Sequence, residues 1–298
     1  MVLVTGASSG IGLALAKALS QRPDTRAVIS TRAASLPKLA DAGIAENERL
    51  LIRPLDVTQE DQRSELVREI QSLWGGVDVL INNAGIAYRS VVEHMSPQEA
   101  VHQLSTNFLG PMELTRLVLP GMRQKRAGRI INISSVSGMM AMPTMGTYTA
   151  SKFALEGASE SLWYEVKPWN IYVTLVQPGF IRSASFRNVY LSIRAQEAVE
   201  NDCAAYNHVY QRMGPFIERL MLRSRTTPEQ IARLTLATLD QARPPLRIPA
   251  TLDAKFFFLL RRLLPRKTYH ALLYHSLPGI KEWGPEEEIE DVTRNEGR

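Results

Sequence analysis

The sequence holds a single cysteine, Cys203, in 298 residues. One thiol excludes an internal disulfide framework and any metal site built from several cysteines, and it fits a reducing compartment. Long apolar runs are missing too. None reaches the roughly 18 uninterrupted residues of a membrane-spanning helix. Met1-Val2-Leu3-Val4 is apolar, but no charged segment precedes it and no cleavage site follows, so no signal peptide is expected. These absences predict a cytoplasmic protein. Charge of one sign is scarce: 35 Lys and Arg stand against 30 Asp and Glu, a formal net charge of +5. The first 250 residues hold no long basic tract interleaved with aromatics, which argues against a nucleic-acid partner. Mild basicity still suits an anionic cofactor or a membrane surface. Internal repeats and low-complexity linkers are absent.

What is present is a regular alternation. Val2–Thr5, Arg26–Thr31, Leu50–Val57, Val77–Ile81, Arg129–Ile133, Ile171–Val176 and Leu246–Ile248 read as strands. Between them Leu13–Gln21, Gln59–Leu73, Pro97–Arg123 (broken near Gly110-Pro111) and Tyr148–Val166 read as helices. Continuous apolar strands separated by helices predict a parallel sheet covered on both faces. The expected fold is therefore α/β, a doubly wound Rossmann sheet of about seven strands. Residues 1–250 are expected to form one catalytic domain. Residues 186–225 would be a helical substrate flap within it, and 251–298 a C-terminal extension that is helical and then acidic.

Thr5-Gly6-Ala7-Ser8-Ser9-Gly10-Ile11-Gly12 joins the first strand to the first helix. Pyrophosphate needs close backbone approach and free N–H donors at a helix N-terminus, and glycine permits both. Gly6, Ser8, Ser9, Gly10, Ile11 and Gly12 are thus candidate cofactor contacts; a glycine-rich turn without a ligand is the plainer alternative. Arg32 closes the second strand, and no Asp or Glu stands at positions 30–32. An arginine there suits the 2′-phosphate, favouring NADP(H) over NAD(H), where an acidic residue would bind free ribose hydroxyls. A solvated surface arginine is the alternative. Asp56-Val57 closes the third strand, where Asp56 could accept from an adenine amine or serve the start of the next helix.

Asn82-Asn83-Ala84-Gly85 follows the fourth strand, where its asparagines could brace the sheet or a ribose. Tyr148 and Lys152 stand four residues apart in a helix and share a face. A free phenol, with pKa about 10, is a poor base at neutral pH. A nearby ammonium favours phenolate, so such a tyrosine could pass a proton to or from an alcohol oxygen. Ser135 ends the fifth strand and could hold that oxygen. Asn107 is polar inside a long helix, as a site residue or a kink residue beside Gly110.

This ordered set, with Pro178-Gly179, resembles the short-chain dehydrogenase/reductase family over residues 1–185, and its hydroxysteroid and retinol dehydrogenase branch in particular. The resemblance implies Tyr148 as acid/base and Ser135 as holder of the substrate oxygen. It implies that Lys152 binds the nicotinamide ribose and lowers the tyrosine pKa, and that Asn107 holds a water in a proton relay. It places Asn83, Ile181 and Ser183 against the cofactor, and it implies a homodimer or homotetramer built on the helices 97–123 and 148–166.

The expected reaction is hydride transfer between NADP(H) and a lipophilic carbonyl or alcohol. A non-catalytic dinucleotide sensor on the same fold is the alternative, although such a protein would be expected to have lost Tyr148 or Lys152. A nucleotide-sugar epimerase would want different glycine spacing and a larger substrate domain. In the flap, Tyr190, Leu191, Ile193, Tyr206, Tyr210, Met213, Phe216, Ile217 and Met221 offer either a substrate wall or ordinary helix packing. Residues 255–267 combine a Phe/Leu run with Arg and Lys, which suits peripheral membrane contact, a lid or a subunit contact.

Overall fold

The computed structural model describes residues 1–183 and 189–284. Residues 184–188, which include the start of the expected flap (186–188), and the acidic tail (285–298) lie outside the described residues. Seven parallel strands form the central sheet in the order β3-β2-β1-β4-β6-β7-β9. These are β1 (Val2–Val4), β2 (Ala27–Thr31), β3 (Leu50–Pro54), β4 (Val79–Asn82), β6 (Gly128–Ile133), β7 (Ile171–Gln177) and β9 (Arg247–Pro249). The expected sheet is therefore present with all seven strands.

The sheet is apolar on both faces because both are covered. Side chains alternate along a strand, so Val2 and Val4 enter one core while Leu3 enters the other. The first core packs α1 (Gly10–Ser20) and α9 (Pro228–Ala237) through Leu15, Leu19 and Ile231. The second packs α3 (Glu60–Trp74) and α5 (Gly110–Lys125) through Leu66, Ile70, Leu114 and Met122. Each such buried side chain contributes roughly 1.5–3 kcal/mol of transfer free energy.

β1 has β2 on one side and β4 on the other, so the strand order reverses there. Ligands of open α/β sheets lie at that switch point, outside the carboxyl ends of the strands. The glycine loop follows β1, and Asn83 follows β4.

Four local features differ from expectation. The first helix starts at Gly10, not Leu13, so the loop glycines form its opening turn. The long helix 97–123 is three pieces: α4 (Pro97–Leu104), a π-helical turn (Ser105–Leu109) and α5. Gly110 opens α5 because a Cβ there would lie 2.6 Å from the Val57 carbonyl oxygen. A second, two-stranded parallel sheet pairs β5 (Tyr88–Arg89) with β8 (Tyr190–Leu191), and the hydroxyls of Ser90 and Ser192 meet beside it at 2.9 Å. A short α2 (Pro37–Asp41) also lies between β2 and β3.

The flap is helical, as expected, in α7 (Ile193–Glu200) and α8 (Asn207–Arg223). The extension folds as α10 (Leu252–Leu263) and α11 (Arg266–His275). Phe257, Phe258 and Leu273 pack there with Val136, Met139 and Met140 of the segment that follows β6.

Candidate active site

A cleft of about 720 Å³ opens at the carboxyl edge of the sheet. All the anticipated site residues line it except Gly12 and Asn107. Its size falls within the usual range of cofactor and ligand pockets, roughly 300–1,000 Å³.

At one end lies the glycine loop. Gly6 takes φ +68° and would place a Cβ 2.6 Å from Cα of Ala84, so only glycine fits. Gly10 takes φ +53° and faces open space. Gly12 packs inward against Ala7 and Asn83, which is why it does not line the cleft. The Ser9 side chain does not cap α1, and no acidic residue sits in its first turn. The positive end of that helix is thereby left for an anion, so the loop fits a dinucleotide pyrophosphate.

Asn83 braces this loop. Its Nδ2 donates to the carbonyls of Thr5 and Gly6, both at 2.9 Å. Thr5 Oγ1 in turn accepts from the amides of Asn83 (3.1 Å) and Ala84 (3.0 Å). Asn82 braces the sheet instead, donating to Asn132 Oδ1 at 2.8 Å. Thr5 stands in the loop motif, but this bracing role is a contact across the sheet, which local spacing does not record.

Arg32 stands exposed on the cleft wall beside Ser35 and Lys38. Lys38 is a second cation that strand-end reasoning could not find, since it lies beyond the strand in α2. Asp56 Oδ1 accepts from the amide and hydroxyl of Thr58 at 2.9 and 2.7 Å, which orients the carboxylate. Val57, Ile181 and Ser183 complete this part of the lining.

The reactive groups lie just past the end of β6 and on α6 (Gly146–Val166). Ser135 caps a short turn by accepting from the amide of Ser137 at 3.1 Å. Its hydroxyl also lies near the phenol of Tyr148 in the same cleft. Burial pushes that phenol above its ordinary value, and the Ser135 contact pulls the other way. The expected depression of the tyrosine by Lys152 is therefore not what dominates here. Lys152 is buried, with Nζ 2.9 Å from the Ile133 carbonyl and 5.8 Å from the Tyr148 ring centre. Burial lowers its pKa to about 8, and the carboxylate of Glu156 opposes the fall.

Glu156 is a third member of the same helical face, again four residues on, and sequence reasoning passed over it. It is buried, accepts from Gln177 Nε2 at 2.9 Å, and pairs with Arg247 Nε at 3.0 Å. Arg247 is itself anchored to Glu160 at 2.7 Å. A buried carboxylate needs such partners, and these connect α6 to β7 and β9 behind the reactive groups.

Asn107 sits in the π-helical turn, a form often found at functional sites. Its side chain is committed to the protein. Oδ1 accepts from the Ile86 amide at 2.8 Å, and Nδ2 donates to the Ile86 carbonyl (2.9 Å) and Ser151 Oγ (3.0 Å). It fixes the strand β4 exit against α6.

The apolar wall expected from the flap divides in two. Tyr190, Ile217 and Met221 line the cleft. Tyr210 and Met213 are buried in packing among the flap helices, and Ile193 is exposed to solvent. Met142, Met145 and Phe180, outside the expected segment, supply further apolar lining.

The sequence profile described as short chain dehydrogenase matches residues 1–192. Retinol dehydrogenase 8 of Homo sapiens is 33% identical over 250 residues, covering 83% of this chain and 79% of that protein. The crystal structure of a short-chain dehydrogenase from Streptomyces avermitilis superposes with a TM-score of 0.76 at 30% identity, covering 99% of this chain and 98% of that one. A metagenomic short-chain oxidoreductase in complex with NADP superposes with a TM-score of 0.62 at 26% identity, covering 83% and 95%. With the doubly wound sheet, the glycine cradle and the Ser135–Tyr148–Lys152 group already in place, these likenesses place the chain in the short-chain dehydrogenase/reductase family of oxidoreductases.

Proposed function

We propose that this protein interconverts a carbonyl and an alcohol on a lipophilic substrate, using NADP(H) in preference to NAD(H). The observation that supports this most strongly is the Ser135–Tyr148 hydroxyl pair, which shares one cleft with the glycine cradle and has the Lys152 ammonium beneath it. A bound nicotinamide supplies or takes the hydride. The chain's own residues handle the oxygen and its proton. The Ser135 hydroxyl donates to the substrate oxygen and fixes its position. Tyr148 gives its phenolic proton to that oxygen in reduction and takes it back in oxidation. A phenol held above its ordinary pKa is protonated at neutral pH, which suits the reductive direction. Lys152 supports the phenolate left behind and would help hold the ribose of a bound cofactor. Asn107 holds the β4 exit that frames this group.

Arg32 and Lys38 support the NADP(H) preference, because both stand on the cleft wall where a 2′-phosphate would lie. The apolar lining by Met142, Met145, Ile217 and Met221 supports a lipophilic substrate. Quenching or enhancement of nicotinamide fluorescence with NADPH, followed by turnover of a carbonyl panel, tests the reading. Binding without turnover on any carbonyl would favour the non-catalytic sensor.

On α10, Leu252, Phe256, Leu259 and Leu263 are all exposed, at 81, 57, 53 and 69%. Their spacing puts them on one stripe of the helix. Lys255 and Arg262 flank that stripe, while Arg266 and Lys267 begin α11. An apolar stripe edged with cations fits the surface of an anionic membrane. No helix among the described residues is long and apolar enough to cross one. Exposed Val101, Leu109, Phe153 and Tyr164 on or next to α4, α5 and α6 support a homodimer or homotetramer through those helices.

A further inference from the structure

Arg89 is the second residue of β5 and lines the same cleft as Tyr148. The adjoining Ser90 donates its amide to the Thr144 carbonyl at 2.7 Å and bridges to Met145. That fixes Arg89 beside the start of α6, where Tyr148 is the third residue. From the other side α8 packs on it, since a Cβ on Gly214 would lie 3.4 Å from Nη1 of Arg89. Met142, Met145, Ile217 and Met221 share this stretch of lining.

The guanidinium is poorly served by the protein. Its Nε is shielded from solvent and has no acceptor among the described residues. Among the described residues the Arg89 side chain makes no hydrogen bond or ion pair. Glu218, on α8, acts on it only at a distance, and burial depresses its pKa despite that charge. A desolvated cation among methionines and isoleucine is costly unless something completes it. Its planar fork of donors matches a carboxylate or phosphate, which accepts two parallel hydrogen bonds. The lipophilic wall alone does not call for such a group, and neither does the Ser135–Tyr148–Lys152 chemistry.

We infer that the substrate of this cleft carries an anionic group held by Arg89, with its apolar body along Met142, Met145, Ile217 and Met221. The inference rests on the reading of the cleft as a carbonyl/alcohol site. It narrows the substrate class to amphiphiles with an acidic end and a reducible carbonyl. Glu218 is the competing partner, and an anionic ligand displaces its influence on the guanidinium.

The test is calorimetric titration of the full chain, saturated with NADPH, with octanoate, octyl phosphate and methyl octanoate. Octanoate or octyl phosphate should bind at least ~10-fold tighter than the ester, as expected for a charge-assisted bidentate contact. The tighter of the two anions tells carboxylate from phosphate. Arg89→Met should erase the preference while leaving the ester unchanged. Glu218→Gln should tighten the anion several-fold and not the ester. Equal affinity for ester and anions, equal weakening of all three in Arg89→Met, or no binding by any of them would overturn the inference. The two readings fail separately. Turnover of a keto ester with no anion preference among the three probes sinks the Arg89 inference alone, and anion preference without NADPH oxidation on any ketone or aldehyde sinks the reaction alone.

Discussion

Lys152 holds its ammonium 2.9 Å from the main-chain carbonyl oxygen of Ile133, the last residue of β6. That single acceptor does not restore what the amine loses on burial, so its pKa falls to about 8. In the unfolded chain it returns to about 10.4. The folded state therefore holds the proton less tightly, and wild-type stability rises as pH climbs from about 8 to about 10.4. Lys152→Met lacks this titration. Urea unfolding at pH 7 and pH 10.5 should show the wild type gaining on the variant by about 2–3 kcal/mol. Parallel stability profiles would show that the ammonium is not buried as described.

Glu156 counters the desolvation of Lys152 from the next turn of α6. Glu156→Gln should lower the lysine pKa further. If Lys152 must be charged for turnover, kcat/KM falls above about pH 8 in the wild type, and this alkaline limb moves to lower pH in Glu156→Gln. A merely structural role would reduce activity evenly across the profile. The variant also strands Arg247, and a broken buried pair can cost about 3–5 kcal/mol. Since Arg247 keeps Glu160, the loss should sit at the low end of that range.

Cofactor preference should follow charge at the end of β2. Arg32→Asp removes a cation and adds a repelling carboxylate beside Lys38. NADPH affinity should fall by at least ~10-fold, about 1.4 kcal/mol, while NADH affinity holds or improves. Fluorescence titration with both cofactors measures this. Unchanged Kd values for both would remove Arg32 from the site.

The exposed stripe on α10 predicts salt-sensitive membrane binding. The full chain should float with vesicles containing anionic lipid at low salt and separate from them at high salt. A variant with Phe256, Leu259 and Leu263 all changed to Ser should not float. These side chains are already exposed, so its Tm should stay near that of the wild type. Flotation unaffected by the changes would assign the stripe to another contact.

The legible parts of this protein are the local ones. Gly6, Gly10 and Gly12 stand within one loop, and Tyr148 and Lys152 within one helical turn, so spacing alone exposes them. The strands of the main sheet are rich in apolar residues that enter one core or the other, so they stand out in the sequence. What escaped was built from distant partners or from too few residues. β5 and β8 are two residues each, too short for any periodic signal, yet their pairing places Arg89 in the cleft. Glu156 finds Arg247 91 residues away. Met213 and Met221 have the same side chain eight positions apart, but one is fully buried in the flap and the other lines the cleft. Composition cannot separate those fates, because a packed core and an apolar pocket select the same residues.

The central claim is that Tyr148 moves the proton. The most direct measurement compares Tyr148→Phe with the wild type in single-turnover NADPH oxidation on a carbonyl substrate, alongside NADPH affinity. The substitution removes one oxygen and leaves the ring in place. Turnover should fall by at least ~10²–10⁴-fold, the usual contribution of a positioned acid, with NADPH Kd unchanged within a factor of about two. A Tyr148→Phe enzyme that still turns over at the wild-type rate would contradict the account.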